Sequence, residues 1–336
     1  LKQLICNQPG ELELKKIKKP PIKSKEAIVK IKRIGICGTD LHAYEGTQPY
    51  FDYPRVLGHE LSGVIEEIED GEDLQIGDKV AIVPYLHCGK CYTCKKGKTN
   101  CCQNLKVMGV HQDGGMQDYL SVPVSHLIKV NDLSFDEAAL MEPLAIGAHA
   151  VRRVGIEKDD VVVVTGAGPI GIGIMLFAKA TGATVVGIDL NMKRLEFCQK
   201  WAGIDYIVDA RKNPQAEIEK ITDGNLVDVV LDATGSKQAM EQSLGYITFG
   251  GKVIYVGLFK GDIVFNDPDF HKKETTLMGS RNATMEDFLA VYDLLKKRPV
   301  DIQQYITHRA SLEGAIEAVP GWLNPESNVI KGMIEV

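Results

Sequence analysis

Five of the eight cysteines, Cys88, Cys91, Cys94, Cys101 and Cys102, fall within one short stretch. Intervals of two residues between cysteines suit thiolate metal ligation; the cysteines of a disulfide framework are spread more widely. The turn His87-Cys88-Gly89-Lys90-Cys91-Tyr92-Thr93-Cys94 and a returning loop offer four sulfurs for a tetrahedral zinc at Zn–S of ~2.3 Å. Spacing leaves open whether Cys101 or Cys102 is the fourth ligand. Lys90, Lys95, Lys96 and Lys98 surround the stretch and offset the excess negative charge of four thiolates. Free thiols packed so closely would invite oxidation, so a structural zinc is the expectation. A closed four-sulfur site has no open position and does no chemistry.

A second set of ligand types is scattered along the chain. Cys37 follows the alternating pattern of residues 27–34, within Gly35-Ile36-Cys37-Gly38-Thr39-Asp40-Leu41-His42. His59 and Glu60 stand just before another strand-like run, 61–68, and Glu142 precedes Pro143 and Leu144. One thiolate, one imidazole and one or two carboxylates suit a zinc that keeps a position open for water or substrate. Asp40 is placed to fix a ligating imidazole through its other ring nitrogen. Each residue also has a purely structural reading: Cys37 as a small buried hydrophobe, His59 as a core histidine, Glu142 as a carboxylate at a helix start. Only convergence in three dimensions separates the two readings.

The third chemical signal is Gly166-Ala167-Gly168-Pro169-Ile170-Gly171, which four consecutive valines and Thr165 precede. The first glycine permits a tight turn, the second lets backbone approach a pyrophosphate, and the third allows close helix–strand packing. The following helix presents free N–H groups and a positive dipole end to the phosphates. Asp189 lies 189 − 168 = 21 positions after Gly168, at the ~20-residue offset of a ribose-binding carboxylate. A carboxylate there repels a 2′-phosphate, and Leu190, not Arg, follows it, which favours NAD over NADP. Arg194 at the start of the next helix, Thr234 after Asp232, and Val256 before Gly257 complete the expected cofactor-facing set.

These signals need elements to carry them. From residue 160 onward, apolar runs at 161–165, 185–189, 206–208, 227–231, 253–256 and 276–278 alternate with amphipathic stretches such as 194–202 and 215–221. That alternation implies a parallel doubly wound sheet with right-handed crossovers. Residues 161–178 carry no charge, but five glycine and proline positions interrupt them, so they read as strand, turn and helix and not as a membrane span. A helix over 285–297 lies outside the six-strand pattern, and 328–336 ends in a strand-like run.

The bulk properties agree. At ~150 residues per domain, 336 residues imply two domains. Lys plus Arg number 39 and Asp plus Glu 45, so 39 − 45 = −6; charged residues are 25% and apolar residues 44%. Those values exclude wholesale disorder, collagen-like repeats and a small disulfide scaffold. A mildly acidic chain has no global attraction for nucleic acid or an anionic membrane. The chain opens on Leu1, so a shortened or altered N-terminus is expected; no signal-peptide pattern follows, which points to a soluble, cytoplasmic protein.

Taken together, Gly58-His59-Glu60, the stretch Gly35 to His42, Cys88 to Cys102, the glycine turn and Gly77-Asp78-Lys79-Val80 resemble the zinc-dependent medium-chain dehydrogenase/reductases, the alcohol dehydrogenase superfamily. The resemblance covers nearly the whole chain. Glu142-Pro143-Leu144 stands where ethanol-type enzymes carry a cysteine ligand, a departure similar to the sorbitol, threonine and sugar-acid dehydrogenase branch. The implied fold is α/β: a GroES-like β-rich catalytic domain (1–146, resumed at 281–336) and a Rossmann doubly wound parallel-sheet domain (147–280). The implied cofactors are NAD and two Zn2+ ions, one catalytic and one structural. The resemblance implies Cys37, His59 and either Glu60 or Glu142 as catalytic ligands. It also implies Cys102 as the fourth structural ligand, which leaves Cys101 as an extra thiol. It places Thr39 to accept the hydroxyl proton, His42 to pass it toward solvent, and Lys331 at the cofactor pyrophosphate, and it implies a homodimer or homotetramer.

Tyr44, Glu45, Phe51 and His111 lie in loops expected to line the substrate pocket. A hydroxyl-rich small-molecule alcohol suits Glu142 better than ethanol, so a sugar acid or polyol is expected, with L-threonine the rival substrate. The competing class is a non-enzyme, in which the Cys88–Cys102 lobe is an interaction module and the nucleotide fold senses redox state. The lobe lacks the interleaved aromatics or basic stripe of a nucleic-acid surface, and that reading leaves Cys37, His59 and Glu142 unexplained.

Overall fold

The computed structural model describes every residue except Tyr50, Glu72, Arg298 and Pro299. The chain forms two compact units, one built from Leu1–Pro143 and Thr284–Val336, the other from Leu144–Ala283.

In the first unit, among the described residues, a seven-stranded sheet is organised around the strand Glu26–Ile36. That strand pairs antiparallel with Glu60–Ile68 on one side and with the C-terminal strand Lys331–Glu335 on the other, with Gly332 opposite Ile36. The β-branched pattern of 27–34 explains the strand: Val29, Ile31 and Ile34 are fully buried beside Leu61, Ile65 and Ile334. Burying each such side chain contributes about 1.5–3 kcal/mol. Asp136, near the start of the helix Phe135–Val154, ties the separate segments together. It accepts hydrogen bonds from Arg33 Nε (2.8 Å), Arg309 (2.7 Å) and Gln303 (3.1 Å). The helix Met285–Lys297 is held by Lys296 and Tyr292, both on Asp132.

The second unit contains, among the described residues, a six-stranded parallel sheet. In chain order its strands are Val161–Thr165, Thr184–Asp189, Tyr206–Asp209, Val227–Asp232, Ile247–Tyr255 and Thr276–Gly279. In space they run third, second, first, fourth, fifth, sixth, the doubly wound dinucleotide-binding order with its switch point beside the first strand. Val162, Val163 and Val164 are fully buried between two parallel neighbours, which is why the strand reads as a continuous apolar run. The uncharged stretch divides into strand, turn and the helix Pro169–Ala180. No helix among the described residues is long and apolar enough to cross a membrane.

The fifth strand departs from expectation. It begins at Ile247, six residues before the apolar run, and ends at Tyr255, which leaves Val256 just outside it. Val227 pairs with Ile247 but Val229 with Lys252, so a bulge at the exposed Phe249-Gly250 corner, where Gly250 has φ +76°, carries the pairing past the glycines. The helix Lys237–Tyr246 before it was not foreseen. It buries only Met240, Ser243 and Tyr246, and its Ser236 N-cap makes no capping bond.

Candidate functional site

The cysteine lobe is built from tight turns. Gly89 (φ +68°) and Gly97 (φ +75°) reverse the chain on either side of the short helix Tyr92–Lys95, which Cys91 starts. The sulfurs of Cys88, Cys91, Cys94 and Cys102 all lie within 4.8 Å of one another, and those of Cys91 and Cys102 are 3.9 Å apart. A tetrahedron with Zn–S of ~2.3 Å has edges of ~3.8 Å, so the four sulfurs fit a closed zinc site. Cys102 is buried, and its sulfur accepts the N–H groups of Cys88 and Asn104, both at 3.3 Å. Cys101 is exposed and stands outside the group. The Thr93 hydroxyl, foremost, with the Cys94 and Gln103 amides, pulls the Cys91 thiol down to about 5, into the thiolate range that ligation requires. Among the described residues no cysteine is in a disulfide.

The second ligand set converges in the same unit. Cys37 follows the strand Glu26–Ile36 and is the N-cap residue of the helix Gly38–Glu45. Asp40, buried one turn later, accepts the Cys37 N–H at 3.0 Å through one oxygen and the Gly58 N–H at 3.0 Å through the other. That second oxygen lies 3.7 Å from His59 Nδ1. Asp40 thus clamps the two ligand-bearing loops together and faces the imidazole from behind. Ligand atoms of Cys37, His59 and Glu60 all fall within 4.8 Å of one another. This compact set of thiolate, imidazole and carboxylate fits a catalytic zinc with room for a further ligand. Burial would lower the His59 pKa, but the charges of Asp40 and Cys37 prevail and hold it well above its usual value. A cation ligated there displaces that proton.

The two carboxylates have different partners. Glu60 is fully buried, and the Lys331 ammonium donates to both of its oxygens and to the Ile36 carbonyl (3.1 Å). Gly35 accommodates this pair, because a Cβ there would fall on the Glu60 carboxylate. Lys331 was expected at the cofactor pyrophosphate. The structure buries it at 1% exposure and commits its ammonium to Glu60, since the C-terminal strand pairs with the strand that Cys37 follows, Gly332 opposite Ile36. Glu142, on the helix Phe135–Val154, is 4% exposed and accepts a hydrogen bond from the Tyr85 hydroxyl. Burial, opposed by the neighbouring His59, pushes its carboxyl up to about 7. Tyr85 was missed from the sequence; nothing local marks a tyrosine whose partner lies 57 positions away.

Thr39 is half-buried in the first turn of the helix Gly38–Glu45. His42, one turn on, is exposed, with its Nδ1 3.1 Å from the Thr47 hydroxyl and 3.6 Å from Glu45. Tyr44 and Phe51 pack against the edge of the core, the Phe51 ring 4.9 Å from that of Tyr53. His111 is exposed, and its Nδ1 accepts the Val107 N–H at 3.1 Å.

In the second unit, Gly166 takes φ +96° at the end of the first strand. A Cβ on Gly171 would land on the Gly166 carbonyl, whereas one on Gly168 would meet nothing within 4 Å. The turn is therefore closed by its first and third glycines and open at its second, the shape a pyrophosphate needs. Pro169 and Ile170 begin the helix, with Gly168 as its N-cap. The Asp189 carboxylate accepts the Ala167 N–H (2.6 Å) and the Asn191 N–H (2.7 Å), which aims it at the mouth of the turn. Asn191 caps the next helix through the Arg194 N–H. Thr234 packs against Gly166 and bonds to the buried Asp232, whose carbonyl accepts the Val256 N–H at 2.8 Å. These groups all collect at the carboxyl ends of the first, second, fourth and fifth strands, where dinucleotides bind.

Comparison with known proteins agrees with this architecture. A family model described as an alcohol dehydrogenase GroES-like domain matches residues 23–132, and one described as a zinc-binding dehydrogenase matches residues 169–297. The chain is 45% identical over 332 residues to an L-galactonate-5-dehydrogenase of Escherichia coli K12, covering 98% of each. It is 36% identical to a sorbitol dehydrogenase of Halalkalibacterium halodurans, covering 93% of each. A crystal structure of an alcohol dehydrogenase from Escherichia coli CFT073 with NADH superposes at a TM-score of 0.93, with 28% identity over 100% of this chain and 99% of that one. Both halves of the chain and both ligand sets thus point the same way: it belongs to the zinc-type medium-chain dehydrogenase/reductase family, within the sorbitol, threonine and sugar-acid branch, as a dehydrogenase dependent on zinc and NAD(P).

Proposed function

We propose that this enzyme oxidises a secondary alcohol of a sugar acid, an aldonate of the L-galactonate kind, with NAD as hydride acceptor. The observation that carries the reading is the convergence of the half-buried Cys37 with the buried His59 and Glu60, with the buried Glu142 beside them. The substrate class is supported by the 45% identity to an L-galactonate-5-dehydrogenase along the full length.

Cys37, His59 and Glu60 would hold a zinc that, when bound, would supply Lewis-acid polarisation of the substrate hydroxyl. Asp40 keeps the imidazole oriented and tethers the two ligand loops. Thr39 Oγ1 takes up the hydroxyl proton as its own leaves toward the cofactor ribose, and the exposed His42 passes that proton on to solvent. Asp189 takes the adenosine ribose hydroxyls and disfavours a 2′-phosphate, and the open backbone at Gly168 takes the pyrophosphate. Cys88, Cys91, Cys94 and Cys102 would hold a second zinc that would fix the lobe. Among the described residues no cysteine is in a disulfide, which is in keeping with a reducing cytoplasm, and the family resemblance supports a homodimer or homotetramer.

The test is NADH formation by the zinc-loaded protein on a panel of aldonates, polyols, L-threonine and simple alcohols. Turnover of one aldonate with L-threonine inert is the expected result. Threonine turnover would move the enzyme to the neighbouring activity, and silence across the panel with NAD bound would overturn the enzymatic reading.

A further inference from the structure

Glu60 and Glu142 are both buried beside the same imidazole, yet the fold treats them differently. Glu60 lies in the compact set with Cys37 and His59, and the ammonium of Lys331 both neutralises and anchors it. Glu142 stands outside that set among the described residues, and its partner is a neutral phenol. An ammonium cancels a carboxylate's charge; a hydroxyl donor orients the carboxylate and leaves the charge in place. Tyr85 is itself held firmly. It is 5% exposed, begins the strand Tyr85–Leu86 that pairs with Lys106–Val107, and its ring meets Phe288 edge-on at 6.3 Å. Phe288 is fully buried on the helix Met285–Lys297, so the returning segment fixes the ring that fixes the acid.

We propose that Tyr85 is a positioning residue for the reaction, its hydroxyl holding Glu142 next to the Cys37–His59–Glu60 set but out of it. The proposal rests on the dehydrogenase reading of that set. Without the hydroxyl, Glu142 is free to turn toward the cation and compete with Glu60, and the acid leaves the place it occupies beside the Cys37–His59–Glu60 set.

The experiment compares the wild type with Tyr85→Phe after cobalt(II) replaces zinc, reading the visible ligand-field spectrum together with kcat and KM. The expected result is an altered cobalt spectrum and a kcat lower by on the order of 10–100-fold, with KM within about twofold. In a Glu142→Gln background, adding Tyr85→Phe is expected to change kcat by less than about twofold, because the carboxylate it positions is already gone. An unchanged spectrum and kcat in Tyr85→Phe, or full additivity with Glu142→Gln, overturns the proposal. If Tyr85→Phe does not fold, 3-fluorotyrosine at position 85 keeps the ring and alters only the donor: a shifted cobalt spectrum supports the proposal and an unshifted one overturns it. A wild type that binds cobalt but oxidises no alcohol sinks the dehydrogenase reading instead, and the spectral comparison still reports on Tyr85.

Discussion

The ammonium of Lys331 is buried against the carboxylate of Glu60, with Nζ 2.6 Å from one oxygen and 2.8 Å from the other, although the residues are 271 positions apart. The strand pairing that brings them together, Lys331–Glu335 against Glu26–Ile36, is also what completes the sheet under the ligand loops. Binding site and chain closure are therefore one structural event.

Removing that ammonium leaves a carboxylate buried without its counter-charge. Lys331→Met is expected to destabilise the protein by about 3–5 kcal/mol, read as a lower urea midpoint at unchanged slope. A loss under ~1 kcal/mol would show that the pair does not hold in solution.

The cysteine lobe separates Cys102 from Cys101. Cys102→Ser is expected to lose one equivalent of zinc per chain and to lower Tm, because it removes one corner of the four-sulfur set. Cys101→Ser is expected to keep both equivalents and the wild-type Tm. Equal zinc loss in the two variants, measured by atomic emission, would contradict the geometry.

Asp189 sets the preference between dinucleotides. Asp189→Ser is expected to lower kcat/KM with NAD by about 10–100-fold, the worth of charge-assisted hydrogen bonds of ~1.5–3 kcal/mol, and to affect NADP less. A proportional loss with both cofactors would mean that the carboxylate acts mainly by supporting the turn through the Ala167 N–H.

His126 gives the fold an acid sensitivity. Burial, foremost, and the nearby His87 push its imidazole down to about 4. The unfolded chain binds that proton near pH 6.5 and the folded chain only near 4, so stability is full above ~6.5 and declines between those values as pH falls. The accumulated loss is on the order of 3 kcal/mol. His126→Leu is expected to flatten that part of the stability curve, as measured by urea melts between pH 4 and 7. An unchanged slope would place the acid sensitivity elsewhere.

Much of this protein is legible in its sequence, because local features record local structure. Four valines followed by Gly166-Ala167-Gly168 specify a buried strand, a turn and a helix start, since each depends on neighbours within a few residues. The offset from Gly168 to Asp189 is legible for the same reason: one helix and one strand set its length. Three cysteines at fixed intervals declare a metal knuckle before any fold is known; spacing leaves Cys101 and Cys102 open, the family resemblance implies Cys102, and the structure buries Cys102 just after the 3-10 turn Thr99–Cys101 while leaving Cys101 exposed. The fifth strand's early start needed the pairing of Val227 with Ile247 across the bulge, which no apolar run announces. What the tertiary structure alone decided is who faces whom among buried charges. A lysine near the C-terminus reads as surface or as a phosphate ligand, and only the sheet register turns it onto Glu60. A tyrosine before the zinc lobe carries no signal at all until the helix bearing Glu142 packs against it. Ion pairs and hydrogen bonds between distant segments are set by packing, and packing is a property of the whole chain, which no local window contains.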